Sequence, residues 1–376
     1  MEGFSSNFDQ IPEDIIMEIF SRLPVKSLLK LKSVCKFWYI LIQTPTFITK
    51  HFSHKTNHAI PFIHLYFLDK KQLSFSNNEY PLFQDIYIHK STSLKPVIGP
   101  LNGLFFVYNL DMNEMAIWNP ATKEIKKIII QSPPFYPYFK SYAHHFGFGI
   151  DPLSKDYKVI WIRDYWKEET FTRNKSAIIS VYTLSTNSWK HFEDNTFWSS
   201  HIVMSYFGTY LDGFYYWQMI TSEQQQHTQC INGGRKCDIL AFDLTNEVFQ
   251  VIKTPNLFNS NLGTLGLYDG FVSMFFHFVV QGKTCIEIWV MEKFGFWTKR
   301  LVIESNLIVK RPIGYGVNGE IFVETATSNL AMIDPTTQEI IKCIGPWENG
   351  YPLQVLVYKK SLVSIKKLSS GYLGKL

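Results

Sequence analysis

The chain has 376 residues, of which 46% are hydrophobic and 18% are charged. This balance supplies enough apolar side chains for a folded core and excludes wholesale disorder. The length favours one large body plus a small module. The net charge is +5, and residues 359–376 hold five lysines and no acidic residue, so the rest of the chain sums to zero. We therefore predict a solvated basic tail and no nucleic-acid partner.

Five cysteines are scattered along the chain: Cys35, Cys230, Cys237, Cys285 and Cys343. An odd count at irregular spacing does not form a disulfide framework. The first ten residues are polar and acidic, unlike a secretory signal, and no run of about eighteen uncharged apolar residues occurs. We therefore expect a reducing compartment, the cytoplasm or the nucleus, and no membrane partner.

Residues 11–42 have the pattern of three short helices. Pro12 suits the first turn of a helix, where its missing N–H costs no hydrogen bond. An apolar stripe at helical spacing follows: Ile15, Ile16, Ile19, Phe20 and Leu23. Leu23-Pro24 ends this helix, two further helices are predicted over 27–33 and 34–42, and Thr44-Pro45 ends the run. About forty residues cannot bury this much apolar surface alone. The stretch is either a cap packed on the body or a module that docks on a partner's helices.

Four short phrases occur in order along this stretch: IPEDII at 11–16, RLPVKSL at 22–28, VCKFW at 34–38 and LI at 41–42. Together they resemble the F-box family, with Ile11 in place of the commoner leucine. The resemblance implies that the helices insert into a Skp-type adaptor, which is held on a cullin scaffold with its RING subunit and a ubiquitin-charging enzyme. The implied interface residues are Pro12, Ile15, Ile16, Ile19, Leu23, Pro24, Leu28, Val34, Trp38 and Leu41. For Trp38, packing inside the module is the alternative.

Beyond about residue 60 the pattern changes to short apolar runs broken by turn residues. Four dipeptides that tolerate positive φ each precede a strand-like run: Asn102-Gly103, Asp212-Gly213, Asp269-Gly270 and Asn318-Gly319. A second motif, an apolar pair followed by a polar turn and another strand, recurs at Asn119, Thr183, Asp243, Val290 and Asp334. Its steps of 64, 60, 47 and 44 residues approach the period of roughly 40–50 residues of kelch and WD-type blades.

These repeats predict an α+β multidomain chain, in which a small three-helix module precedes a large all-β, kelch-like propeller. Five motifs indicate five blades, and strands at 62–68 and 353–365 would join the two ends of the body as a sixth. We therefore expect about six blades in a closed ring, with a β-sandwich-like pair of sheets as the alternative. The predicted divisions are a disordered N-terminus at 1–10, the F-box at 11–52, a linker at 53–59, the propeller at 60–366 and a basic tail at 367–376.

The body contains no convincing catalytic or metal-binding motif. Cys230 and Cys237 flank a turn without a second pair of ligands. His144 and His145 are adjacent and should point to opposite faces of a strand, and Gly147-x-Gly149 lacks the rest of a dinucleotide fingerprint. We predict no catalytic residue, no metal, no cofactor and no enzyme activity. The alternatives are a propeller enzyme of the kelch-oxidase kind and a lectin-like glycan-binding module.

Six phrases of the body occur in the following order: IGPLNGLFF (98–106), IWNPATKEI (117–125), FGFGIDPLSKDYKVI (146–160), VYTLSTNSWK (181–190), AFDLTNEVFQVIKTP (241–255) and EIWVMEKFG (287–295). They resemble the F-box-associated domain of plant F-box proteins. Residues 41–57 and 355–367 are most similar to the S-locus F-box proteins of pollen. That resemblance implies recognition of non-self S-RNases and their ubiquitination in self-incompatibility, by positioning rather than chemistry. A different target in defence or stress signalling is the alternative. The aromatic segment 132–139 is either a binding loop or a loop packed on its blade.

Overall fold

The computed structural model of the chain describes residues 11–55, 57–67, 87–91, 97–109, 113–131, 139–167, 172–194, 201–221, 237–255, 263–345 and 350–368. The predicted disordered N-terminus lies outside these residues, as do Cys230, most of the predicted basic tail and nearly all of the aromatic segment 132–139. Within the described residues, no helix is both long enough and apolar enough to cross a membrane.

Four short helices form the N-terminal helical module: α1 Glu13–Ser21, α2 Val25–Leu31, α3 Lys36–Leu41 and α4 Pro45–Ser53. The prediction of three helices ending at Thr44-Pro45 is therefore corrected. Thr44 is the N-cap of α4, and its hydroxyl accepts a hydrogen bond from the Phe47 N–H at 3.2 Å. Pro45 occupies the first turn, where a proline sacrifices no hydrogen bond. The dipeptide that the sequence indicates as a helix stop is thus a helix start.

The body consists of twenty-three strands within the described residues, and they begin with β1 Ile60–Phe67 and β2 Tyr87–Ser91. Blade 1 contains β3 Ile98–Leu101, β4 Leu104–Asn109, β5 Glu114–Asn119 and β6 Glu124–Ile128. Blade 2 contains β7 Phe139–Ile150, β8 Tyr157–Lys167, β9 Thr172–Thr183 and β10 Ser188–Asp194. Blade 3 contains β11 His201–Leu211, β12 Phe214–Thr221, β13 Cys237–Asp243 and β14 Val248–Lys253.

Blade 4 contains β15 Thr264–Tyr268, β16 Phe271–Val280, β17 Lys283–Lys293 and β18 Phe296–Ser305. Blade 5 contains β19 Val309–Tyr315, β20 Ile321–Thr325, β21 Leu330–Ile333 and β22 Ile340–Ile344. The last strand is β23 Gly350–Tyr358, followed by the short helix α5 Ile365–Leu368. Each blade is a four-stranded sheet in which sequential strands pair side by side.

The first strands of the five blades, β3, β7, β11, β15 and β19, are neighbours in a ring, and β23 lies between β19 and β3. The two ends of the body meet as predicted, because β1 pairs antiparallel with β23. However, β2 joins β1 in parallel, and within the described residues this sheet has three strands. The prediction of about six blades is thus corrected to five four-stranded blades, closed by a three-stranded sheet.

One expected strand is shorter than predicted. The segment 353–365 was expected to be extended throughout, whereas β23 ends at Tyr358 and residues 365–368 are helical. Between them the chain leaves the sheet and runs along blade 1. There the side-chain amide of Asn119 donates hydrogen bonds to the backbone carbonyls of Ser361 and Val363. This departure from the sheet connects the propeller to the helical module.

The turn dipeptides lie where the sequence predicts them. Asn102-Gly103, Asp212-Gly213 and Asp269-Gly270 have positive φ at both residues and form two-residue turns between the first two strands of blades 1, 3 and 4. In Asn318-Gly319 only the glycine has positive φ among these two, and the turn between β19 and β20 is longer. These turns set the register of the innermost hairpins.

The second repeat motif is the outer hairpin of each blade. In blades 1, 3 and 5 the side chain at its start accepts hydrogen bonds from the backbone N–H groups two and three residues later. The distances are 3.0 and 3.3 Å for Asn119, 2.8 and 3.1 Å for Asp243, and 2.7 and 3.2 Å for Asp334. This arrangement is an Asx turn, which explains why Asn or Asp occupies the position.

The hydrophobic core lies between adjacent blades and depends on close approaches. Trp217 of blade 3 is 1% exposed and donates to the Phe146 carbonyl of blade 2 at 2.9 Å. A Cβ added at Gly147 would lie 2.7 Å from the Trp217 ring, and one at Gly149 would lie 2.5 Å from Leu244. Gly147 and Gly149, which match part of a dinucleotide-binding motif, therefore make room for side chains of the neighbouring blade.

Candidate docking surface

Helix α1 presents one apolar stripe outward and buries the other. Ile15 and Ile19 are each 51% exposed, and Ile11, just before the helix, is 41% exposed. Because Ile15 and Ile19 are four apart, they lie on one face of the helix. Ile16 and Phe20 lie on the opposite side and are buried in the module. The exposed stripe is therefore not part of the module's own core.

A second set of exposed apolar side chains comes from α3 and the turn before it. Val34, Phe37, Tyr39 and Ile40 are between 44% and 60% exposed, whereas Leu41 is buried. The helix has six residues, KFWYIL, and is apolar on almost every side. A helix of this kind can bury one face in its own module and still present an apolar face outward.

Exposed apolar side chains are concentrated in the helical module. Seven of the twenty large apolar side chains exposed in the described residues lie there, although the module is a small part of the chain. Such concentrations on a soluble domain mark interaction sites. We call this set the docking patch: Ile11, Ile15, Ile19, Val34, Phe37, Tyr39 and Ile40.

The ten interface residues implied by the F-box resemblance fall into three groups. Exposed are Pro12, Ile15, Ile19, Pro24 and Val34, and half-buried are Leu23 and Trp38. Buried inside the module are Ile16, Leu28 and Leu41. Trp38 packs edge-on against Phe20, with ring centroids 5.0 Å apart. The role of each residue in binding stays a prediction, but in this conformation the buried three support the module rather than face a partner.

Sequence reasoning omitted four members of the docking patch: Ile11, Phe37, Tyr39 and Ile40. Ile11 precedes the first helical turn and was noted only as a departure from the family's leucine. The other three belong to an unbroken apolar run, in which helical periodicity cannot tell the buried face from the exposed one. Their high exposure is visible only once α3 is packed against its neighbours.

Ionic and hydrogen-bonded contacts join α1 and the turn that follows it to α4. Glu18 of α1 pairs with Arg22 at 2.8 Å and with Lys50 of α4 at 2.9 Å. Hydrogen bonds from these two side chains lower the pKa of Glu18 to about 2. His51 of α4 is buried, and its Nε2 lies 2.9 Å from the Leu23 carbonyl oxygen. Burial is the main cause of the lowered pKa of His51, so the neutral imidazole is favoured.

The helical module sits on one face of the propeller. In every blade, strands alternate in direction, so the turns between first and second and between third and fourth strands share one face. Ala121, in the outer turn of blade 1, packs against the core of the helical module. We call this the module face. The connections between second and third strands and between successive blades lie on the opposite face, the far face.

The far face carries its own exposed apolar side chains. Val279 and Val280 precede the turn between β16 and β17 and are 70% and 50% exposed. Ile308, in the connection from blade 4 to blade 5, is 73% exposed. Its carbonyl accepts from the Ala326 N–H at 2.9 Å, which places it beside the turn between β20 and β21. This far-face cluster points away from the helical module.

The residues considered for metal binding are dispersed. His145 is buried, whereas Nδ1 of the half-buried His144 accepts from the Trp161 indole at 3.0 Å. Burial raises the pKa of the Cys237 thiol, which does not favour a thiolate ligand. Among the residues that the structure describes, no cluster of three or more His, Cys, Asp or Glu side chains is suited to hold a metal ion.

Comparison with known proteins agrees with this architecture. Residues 8–50 match the F-box domain family, and residues 76–365 match the family described as F-box associated beta propeller domain. The F-box/WD-40 repeat-containing protein 1 of Arabidopsis thaliana is 28% identical over 313 residues, covering 77% of this chain and 68% of that protein. The F-box protein CPR1 of the same species is 26% identical over 352 residues, covering 86% and 82%. The chain therefore belongs to the family of F-box proteins that carry an F-box-associated β-propeller domain.

Proposed function

We propose that this protein is the substrate-receptor subunit of an SCF-type cullin ubiquitin ligase. The F-box docks on a Skp-type adaptor through the docking patch, and the adaptor connects the chain to the cullin and RING subunits. The observation that carries this proposal is the docking patch itself. Its exposed apolar side chains on α1 and α3 are not part of the module's core. An amphipathic helix of this kind is suited to lie against the helices of another protein.

The chain acts by position rather than by its own chemistry. A substrate held on the propeller stays near the ubiquitin-charged enzyme of the ligase, so that its lysines experience a high effective concentration of that enzyme. Holding reactants together in this way accelerates transfer without any catalytic side chain in the receptor. No cofactor enters this mechanism.

We assign the substrate to the far face of the propeller. The module face is partly covered by the F-box, which packs on blade 1. The far-face cluster of Val279, Val280 and Ile308 offers exposed apolar side chains on two neighbouring blades. Such side chains are suited to the apolar centre of a protein–protein interface.

The finer proposal is that the substrate is a non-self S-RNase and the process is self-incompatibility in pollen. Its support is the resemblance of residues 41–57 and 355–367 to S-locus F-box proteins. Ubiquitin transfer by a cullin ligase takes place in the cytoplasm or the nucleus, and we propose the cytoplasm as the main compartment. Imaging of a fluorescent fusion in pollen tubes tests this location.

Reconstitution tests the ligase function and the identity of the substrate separately. The purified chain, a Skp-type adaptor, cullin, RING subunit and charged enzyme are mixed with labelled S-RNases of several haplotypes. We expect ubiquitin on non-self S-RNases, and an at least tenfold slower transfer for the double variant Val279→Asp with Val280→Asp. The control is Leu153→Asp, which changes a residue 80% exposed on the module face.

Each outcome has a distinct meaning. If the wild-type chain does not bind the adaptor, the ligase proposal fails. If the adaptor binds but every S-RNase stays unmodified, the ligase proposal stands and the substrate is a different one, such as a target in defence or stress signalling. If Leu153→Asp slows transfer as much as the double variant, the far face is the wrong assignment.

A further inference from the structure

A short segment after the last strand lies between the F-box and the propeller. We call residues 359–368 the C-terminal strap. Leu362 is 2% exposed and belongs to the core of the F-box, together with Leu28 and Phe47. Val363 and Ile365 belong instead to the core between the first blades. Neighbouring strap residues thus point in opposite directions, one into each domain.

Blade 1 binds the strap through the side chain of Asn119. Its amide nitrogen donates to the Ser361 carbonyl at 3.2 Å and to the Val363 carbonyl at 2.8 Å, and Asn119 is fully buried. Its amide oxygen meanwhile accepts the two hydrogen bonds of the Asx turn. The equivalent positions in blades 3 and 5 are aspartates, Asp243 and Asp334, which form the turn but cannot donate. Asparagine occurs where the side chain must bind the strap.

Further contacts hold the strap at both ends. The Asn57 amide donates to the Lys360 carbonyl at 3.0 Å, which ties the segment after α4 to the strap. At the other end, Glu124 of blade 1 accepts from the Ile365 N–H at 2.7 Å, at the start of α5. A Cβ added at Gly103 would lie 2.4 Å from the Ser361 Cβ, so the strap lies directly against this turn. The contacts leave little freedom for the F-box to rotate on the propeller.

We propose that the C-terminal strap fixes the orientation of the F-box relative to the propeller, with Asn119 and Leu362 as its positioning residues. This proposal rests on the proposed function for its purpose: a ligase receptor needs a constant direction from the adaptor to the substrate face. The strap provides it through contacts with the F-box core and blade 1, none of which, among the described residues, involves the docking patch or the far-face cluster. Detaching the strap should therefore change the geometry of the chain while leaving both binding surfaces intact.

The test exploits the difference between blades. Asn119→Asp keeps an acceptor for the Asx turn, as Asp243 and Asp334 show in their own blades, but removes the donor and sets a negative charge against two carbonyl oxygens. The matched control is Asp334→Asn, which makes the reverse change in an Asx turn of blade 5, away from the strap. Both variants should retain the circular dichroism of a folded propeller. The buried charge should lower the unfolding temperature of Asn119→Asp, whereas Asp334→Asn should keep that of the wild type.

Two native cysteines report the orientation. Cys35 of the F-box and Cys343 of blade 5 are exposed, whereas Cys237 and Cys285 are buried. Cys230 is replaced by serine, and spin labels are attached to Cys35 and Cys343. Double electron–electron resonance then gives the distribution of distances between the two labels, one on each domain. We expect a single narrow distribution for the wild type and for Asp334→Asn. For Asn119→Asp we expect at least a twofold increase in width.

A distribution for Asn119→Asp as narrow as that of the wild type overturns the proposal. If this variant does not fold, Leu362→Ala replaces it, because it shortens the strap residue buried in the F-box and leaves blade 1 unchanged; a narrow distribution there also overturns the proposal. The measurement uses the free chain, so failure of the wild type to bind an adaptor would leave it readable and would count against the proposed function alone.

Discussion

Truncation of the exposed stripe on α1 should weaken binding to a Skp-type adaptor without unfolding the F-box. Fully burying an isoleucine side chain stabilises an interface by about 1.5–3 kcal/mol. Ile15 and Ile19 are each 51% exposed in the free chain, so burying the remaining half contributes about 1 kcal/mol each. The double variant Ile15→Ala with Ile19→Ala should therefore lose about 2 kcal/mol of binding, a roughly 30-fold higher Kd.

The assay is calorimetry or interferometry with a purified Skp-type adaptor at fixed ionic strength. Alanine is the best helix former, so the unfolding temperature of the variant should not fall. Leu153→Ala is the control, because it removes a comparable, 80% exposed side chain from the propeller and should leave the Kd unchanged. A loss smaller than threefold for the double variant, in a folded protein, would show that the α1 stripe is not at the interface.

Three further changes probe the scaffold. Leu28→Ala, at a fully buried position of the F-box, should lower the free energy of unfolding by about 3 kcal/mol in chemical denaturation, and a loss below 1 kcal/mol would contradict the assigned core. Burial lowers the pKa of His51 below its ordinary 6.5, so this imidazole is protonated in the unfolded chain at a higher pH than in the folded chain. The stability that neutral His51 contributes is therefore complete above pH 6.5 and is lost as the pH falls below it. His51→Gln should flatten this dependence in unfolding measurements between pH 7.5 and 5, and equal slopes would refute it. Lys158→Met removes the ammonium group that lies 3.1 Å from the buried carboxylate of Asp151. It should lower the free energy of unfolding of the propeller by about 3 kcal/mol. An unchanged free energy of unfolding would mean that the hydrogen bonds of Asp151 are sufficient to stabilise its charge.

The strength of this last prediction depends on how Asp151 is held. Burial alone would raise the pKa of its carboxyl, but hydrogen bonds from the Leu153 N–H, Thr245, Ser154 and Lys158 lower it to about 2. The carboxylate is therefore kept ionised between blades 2 and 3. Its stabilising effect is present above the pKa of the unfolded chain and is lost as the pH falls towards 2, so Lys158→Met should also narrow the difference in stability between pH 7 and pH 3.

The repeat pattern in the sequence predicted the blades because each motif has a local physical cause. Asn-Gly and Asp-Gly pairs reach positive φ at little cost, and an Asn or Asp side chain completes the outer turn by itself. The number of complete blades was less predictable. The last sheet is made from the two ends of the body, and the parallel pairing of β2 leaves no local signal in the sequence.

Prediction failed where a signal has two meanings. Thr44-Pro45 resembles a helix stop because the residue before a proline avoids helical dihedrals. The same pair is also a good helix start, with a hydroxyl cap and a proline in the first turn. In the same way, Ile16 and Leu28 belong to the apolar pattern of the F-box, but pattern alone does not separate the side chains that build the module from those that it presents outward.

The two faces of the propeller differ in the connections that they carry. On the module face the turns within blades contain between two and six residues, as counted from the strand ends. On the far face the connections range from two residues, between β16 and β17, to fifteen, between β12 and β13. Turns on the module face are confined to short, regular forms, and the strap and F-box pack against those of blade 1. The far-face connections differ in length and composition from blade to blade. We therefore propose that the F-box packs on the face whose turns are short and that the substrate is selected on the face whose connections vary.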